Sequence, residues 1–194
     1  MNVQGQPVSE DLATAMEEDL LAGGGSVTER HLRQSGASFG GAVWCPGIDA
    51  LEEEVLRILQ AYWADLPAGC RVPRAAAVNP ARMKPALGYV MLLDVLEGGR
   101  DFRYRVYGSA IAARSGFDAT GRTVTELPVA PLTEYFLAGY RACLRRVAPL
   151  FTRHAPPVLL HVVGWDRLIL PLEDDGGAIA RLLVGNVPRR WPEG

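Results

Sequence analysis

The broadest apolar stripe at helical spacing begins at Leu51 and continues through Val55, Leu56, Ile58, Leu59, Tyr62 and Trp63 until Pro67 and Gly69 end it. Asp49 stands ahead of the stripe as a cap, with Glu52 three residues on as in a capping box, so the pattern predicts a helix over 49–66. Asn79-Pro80 starts a second, short helix that Pro85 closes. The period then changes. Tyr89 to Leu96 is almost continuously apolar, as in a strand covered on both faces, while Phe102, Tyr104 and Val106 alternate with Arg103, Arg105 and Tyr107. The short loop 97–101 between them contains Gly98-Gly99, which predicts an antiparallel hairpin.

Ser109 caps a single helical stretch to Ser115, ended by Gly116, and Pro131 opens a long helix. Leu132, Tyr135, Phe136, Gly139, Tyr140, Cys143 and Val147 share one face of that helix, and Glu134, Arg141 and Arg145 the other. Three strands follow: Leu150 to Arg153, Val158 to Leu172 with a break near Gly164, and Ala178 to Val187 after the turn Glu173 to Gly177. This order predicts an α+β domain, with the long helix across one face of a single sheet. Residues 1–48 differ in character. Ser9 caps a short acidic helix over 9–21, Gly23 to Ser26 end it, and the small residues from Ser35 to Gly41 read as flexible linker. The chain thus divides into an acidic, glycine-rich, partly flexible extension over 1–48 and a main domain over 49–194.

Composition narrows the function. A hydrophobic share of 48% and a charged share of 22% describe a globular chain, and a net charge of -2 supplies no basic field for nucleic acid. No apolar run approaches the roughly 20 residues that span a bilayer, and the polar start is unlike a signal peptide, so a cytoplasmic location with no membrane contact is expected. Cys45, Cys70 and Cys143 form no Cys-x-x-Cys pair, and His31, His154 and His161 have no ligand spacing, so neither a disulfide frame nor a metal centre is predicted.

The segments Leu92-Leu93-Asp94-Val95, Asp101 to Ile111, Gly116-Phe117-Asp118-Ala119-Thr120-Gly121-Arg122 and Leu168-Ile169-Leu170-Pro171-Leu172 occur in the order and spacing of a PAS domain. From about Leu56 to Val187 the chain resembles this family, more specifically its bacterial stand-alone members. The resemblance implies a five-stranded antiparallel sheet of order 2-1-5-4-3, helices on one face, and a ligand or partner site between the concave face and the connecting helices. It also implies a homodimer through the leading helix 49–66, a signalling partner protein, and a sensor without its own output domain rather than an enzyme. It leaves the cofactor unknown. Gly121-Arg122 is followed by Thr123-Val124 where flavin-binding relatives place a reactive cysteine, and neither His154 nor His161 lies on a predicted helix as a haem ligand would.

Candidate ligand-binding residues are Tyr135, Phe136 and Tyr140 on the long helix, with Tyr104 and Val106 on the second strand. Phe117, Phe151 and Trp165 complete the set. The same aromatics serve equally as core, each removing roughly 150–250 Å² from water. Their hydroxyls favour a pocket, since a buried hydroxyl needs a partner that a ligand can supply. Arg103 and Arg105 share a face that either clamps an anion or is solvated, while Asp118 to Gly121 and Asp174-Asp175 read as turns. No catalytic motif is present. The two other readings are an interaction adaptor with a filled core and a cavity enzyme of the ketosteroid-isomerase type, for which Asp94 is the one acid-base candidate.

Overall fold

A computed structural model describes residues 8–157 and 164–189 of the chain. In chain order the regular elements are α1 (Glu10–Leu21), α2 (Ser26–Gln34), β1 (Ser38–Trp44), α3 (Glu54–Ala64), β2 (Val90–Leu96) and β3 (Asp101–Tyr107). They continue with α4 (Ser109–Ser115), α5 (Thr133–Arg146), β4 (Leu150–Ala155), β5 (Gly164–Glu173) and β6 (Ile179–Arg189). The sequence expectation of a strand beginning at Val158 falls partly on 158–163, outside the described residues.

All strand pairs in the single sheet are antiparallel, in the order β1-β4-β5-β6-β2-β3. Counted from β2, this is the expected order 2-1-5-4-3, with the first and last strands of that set paired in the interior. Several expectations need correction. The sheet has six strands, because Ser38–Trp44, which overlaps the stretch Ser35 to Gly41 read as linker, pairs with β4 from Ser38↔Ala155 to Trp44↔Leu150. The register skips a residue between Phe39 and Gly41, and Gly41 has φ 107, where a side chain would be strained.

Helices also cover both faces rather than one. On the first face, α1 and α5 pack over Met91, Leu93, Tyr104, Leu150, Ile169, Leu182 and Val184. On the second, Leu56, Leu59 and Tyr62 of α3 lie with Val90, Phe151, Leu168, Leu170, Leu172 and Leu183. Burial of each large apolar side chain contributes roughly 1.5–3 kcal/mol, so two apolar sheet faces call for two covers. The breadth of the α3 stripe, from which self-association was expected, is largely taken up in this way. The capping box at Asp49 does not form. Ile48–Ala50 make one 3₁₀ turn, Leu51 is extended, and α3 starts at Glu54 with no side-chain cap. Asn79 does cap the next segment, accepting from the Ala81 amide at 3.0 Å, but that segment is a kinked 3₁₀ stretch through Pro85 to Tyr89.

The N-terminal elements belong to this fold. Ser9 caps α1 as expected, and Met16 and Leu20 are fully buried in the core that contains α5. Arg141 pairs with Glu10 at 2.8 Å, and Arg145 with Glu17 at 3.0 Å. The Trp44 indole donates to the Leu20 carbonyl at 2.9 Å, and the Val27 amide donates to Asp19 at 2.7 Å at the start of α2.

Candidate functional site

A cavity of about 340 Å³ lies on the first face, between the sheet and the segment running from α4 to the start of α5. Every strand from β2 to β6 contributes to its floor: Met91, then Tyr104 and Tyr107, then His154, then Trp165 and Arg167, then Asn186. Its roof comes from Ile111, Arg114 and Ser115 of α4, from Phe117, from the loop Leu127 to Ala130, and from Leu132 and Phe136. The left-handed Gly116 (φ 82) ends α4 and turns Phe117 back over the site. There Phe117 stacks on Tyr107 with ring centres 5.9 Å apart. Tyr107 donates to Ser115 Oγ at 3.3 Å, and that hydroxyl donates to the Phe117 carbonyl at 3.1 Å.

Four of the expected ligand-binding residues, Tyr104, Phe117, Phe136 and Trp165, line this cavity. Four do not. Val106 is 45% exposed on the other side of β3, because Leu92 pairs with Val106 while Leu93 pairs with Tyr104. The extra residue, Arg105, forms a bulge that reverses the alternation, turning Val106 out and Tyr107 in. Phe151 belongs to the core of the second face, and its neighbours Thr152 and His154 point towards the first. Tyr135 and Tyr140 sit behind the cavity wall with protein partners: Tyr135 donates to Thr152 Oγ1 at 2.9 Å, and the Tyr140 and Tyr104 hydroxyls meet at 3.3 Å.

The polar floor was missed in the sequence. Arg167 is 4% exposed, and its Nε reaches Asn186 Oδ1 only at 3.4 Å. Its guanidinium lies 4.0 Å from the centre of the Phe136 ring. Among the described residues, no carboxylate lies within 4.0 Å of it. The adjacent Asp166 faces the opposite side and is held by Arg153 at 3.3 Å and Arg189 at 3.2 Å. His154 is 2% exposed, and its Nδ1 has no partner among the described residues. Burial, followed by the nearby Arg167 and Arg189, holds its pKa well below the ordinary value, so it is neutral. The apparent apolar run of β5 and the single His on β4 carried no periodicity signal of their own. Only the register places His154 opposite Trp165, and Thr152 and Asn186 opposite Arg167.

The remaining candidates fall elsewhere. Asp94 faces the second side of the sheet, between Arg105 at 2.9 Å and Arg181 at 3.2 Å, and is not in the cavity. Asp118 accepts from the Thr120 amide at 2.8 Å, and Asp174 from the Gly176 amide at 2.9 Å, the local bonds of turns.

Five antiparallel strands in the order β4-β5-β6-β2-β3, with a cavity between them and the covering helices, make this an α+β domain of the kind expected for the family named from the sequence. The PAS domain family model matches residues 51–184, and the chain belongs to that family. No curated protein matches it. Among solved structures it is similar to an RNA-binding light-oxygen-voltage receptor, with 11% identity and a TM-score of 0.41. That match covers 93% of this chain and 55% of the receptor chain, so the chain spans about half the receptor's length.

Proposed function

We propose that the protein is a PAS sensory module whose input is a small molecule held in the cavity between the sheet and α4–α5, and whose output is a partner protein that reads its surface. One observation carries this reading: the cavity has space for a ligand and is lined by buried polar side chains, Arg167 with no carboxylate beside it and His154 with Nδ1 unbonded among the described residues. A volume of about 340 Å³ lies at the lower end of the range for small-molecule pockets. An adaptor with a filled core would leave no such space between sheet and helices. The N-terminal layer offers a route outward, since the His31 ring lies 3.3 Å from the Pro131 carbonyl, beside the roof loop, and Phe39 packs on Tyr135 at 5.8 Å. A ligand that moves the roof therefore also moves contacts to α2 and β1.

Native mass spectrometry of the protein as purified, followed by thermal-shift screening of small metabolites, tests the reading. At a concentration of a hundred times Kd, binding stabilises by about 2.7 kcal/mol, which raises Tm by roughly 5–10 °C for a chain of this size. Val129→Trp, a half-buried loop residue of the roof, should fill the cavity and abolish both the retained mass and the shift. A ligand that binds this variant unchanged, or the absence of binding by any compound, refutes the proposal.

A further inference from the structure

Among the described residues that form the cavity there is no aspartate or glutamate, whereas Arg167 lies in its floor and Arg114, exposed on α4, stands at its rim. A buried guanidinium without a counter-charge is expensive, and the Phe136 ring 4.0 Å from it offsets only part of that cost. The Tyr140 and Tyr135 rings lie farther off, at 5.8 and 6.0 Å. The hydrogen-bond partner of Arg167 is Asn186, on the opposed position of β6, and the carboxylate nearest in sequence, Asp166, is turned to the far face and paired there with Arg153 and Arg189. The rest of the cavity surface is mostly aromatic and aliphatic.

We infer that the ligand of this cavity is a small organic acid, its carboxylate held by Arg167 and its apolar body lying against Phe136, Phe117 and Tyr107. This rests on the ligand-binding reading above and names the chemistry of the ligand. The planar fork of Arg167 matches the two oxygens of a carboxylate. One buried guanidinium balances one negative charge, so a monoanion leaves the floor neutral. His154, neutral and with Nδ1 unpaired, faces the same space and offers a hydrogen bond to a second polar group of the acid.

The experiment measures binding of benzoate, phenylacetate and hexanoate, each beside its neutral primary amide, with inorganic phosphate as a plain anion. Calorimetry and the NMR signal of the Arg167 Nε–H give the readouts. At least one acid should bind the wild-type protein tenfold or more tighter than its amide, and move the Arg167 signal where the amide does not. Arg167→Met should remove the preference, Arg167→Lys should keep part of it, and ligand-free Arg167→Met should melt at or above the wild-type temperature, because an unpaired buried cation is gone. Amides that bind as well as their acids would overturn this inference and leave the cavity reading standing, as would phosphate binding as tightly as the acids. Failure of every acid to bind would overturn this inference, and the retained mass and metabolite screen described above decide the cavity reading separately. The wild-type comparison and the NMR signal decide the matter even if Arg167→Met does not fold.

Discussion

Leu20→Ala tests whether the N-terminal layer is part of the same cooperative unit as the PAS core. Leu20 is fully buried on α1, in the layer shared with α5, and its carbonyl accepts from Trp44 on β1, so one side chain lies where α1, β1 and α5 meet. Truncating a buried leucine to alanine costs about 2–5 kcal/mol, depending on how far the site collapses. A value of about 3 kcal/mol within that range corresponds to roughly 6–12 °C in Tm for a domain of this length. Far-UV circular dichroism follows the whole fold during a thermal melt, and tryptophan fluorescence follows it from the aromatic side chains. Both should show one transition, moved down together. Arg33→Ala on α2 is the control: its pair with Glu29 is exposed on both sides, so the loss should stay within about 1 kcal/mol. A main transition within about 2 °C of wild type, with only a low-temperature shoulder added, would show that the layer melts separately and refute the reasoning.

Acid should destabilise the protein through His154. The unfolded chain takes up a proton near pH 6.5, while the native state resists it, so this contribution is intact above that pH and declines as pH falls below it. His154→Gln should flatten the slope of stability against pH in that window, and an unchanged slope would count against the assignment. Tyr140→Phe should lower stability in urea by about 1–2 kcal/mol, because it leaves the buried Tyr104 hydroxyl without its partner. Ligand affinity should not change, since Tyr140 lies outside the cavity; a tenfold loss of affinity at unchanged stability would place its hydroxyl on the ligand after all.

Much of the fold was legible because its signals are local. The change of period at Tyr89, the Gly98-Gly99 loop and the broad stripe of α5 each specify an element within a few residues, and the element order then resembles one family. The face of each strand was less legible, because it depends on register. One inserted residue at Arg105 exchanged Val106 for Tyr107 in the cavity, and a phase displaced by one placed Phe151 where His154 belongs. Arg167 was invisible for a related reason: within a mostly apolar strand, nothing local says whether a charge faces a counter-ion, as Asp166 does, or an open cavity. The aromatic hydroxyls misled in the opposite direction. Tyr135 and Tyr140 find partners inside the protein that only the packing of α5 on the sheet reveals. At Ser35 to Gly41, composition pointed to a linker, yet pairing with β4 decided the backbone.

That pairing has a consequence for how the protein behaves in a crowded solution. Without β1, the ladder would end at β4, whose regular backbone would present a row of free amides and carbonyls to any passing strand. With β1 in place, the outermost strand carries Gly40 and Gly41 at a bulge, a short, irregular border that is a poor template for further strands. The other border is closed by the chain itself: Tyr104 donates to the Arg122 carbonyl at 2.9 Å and accepts from the Gly121 amide at 2.7 Å, and Arg103 bridges to Thr123. The N-terminal segment therefore covers the regular edge of β4, the border most open to edge-to-edge pairing.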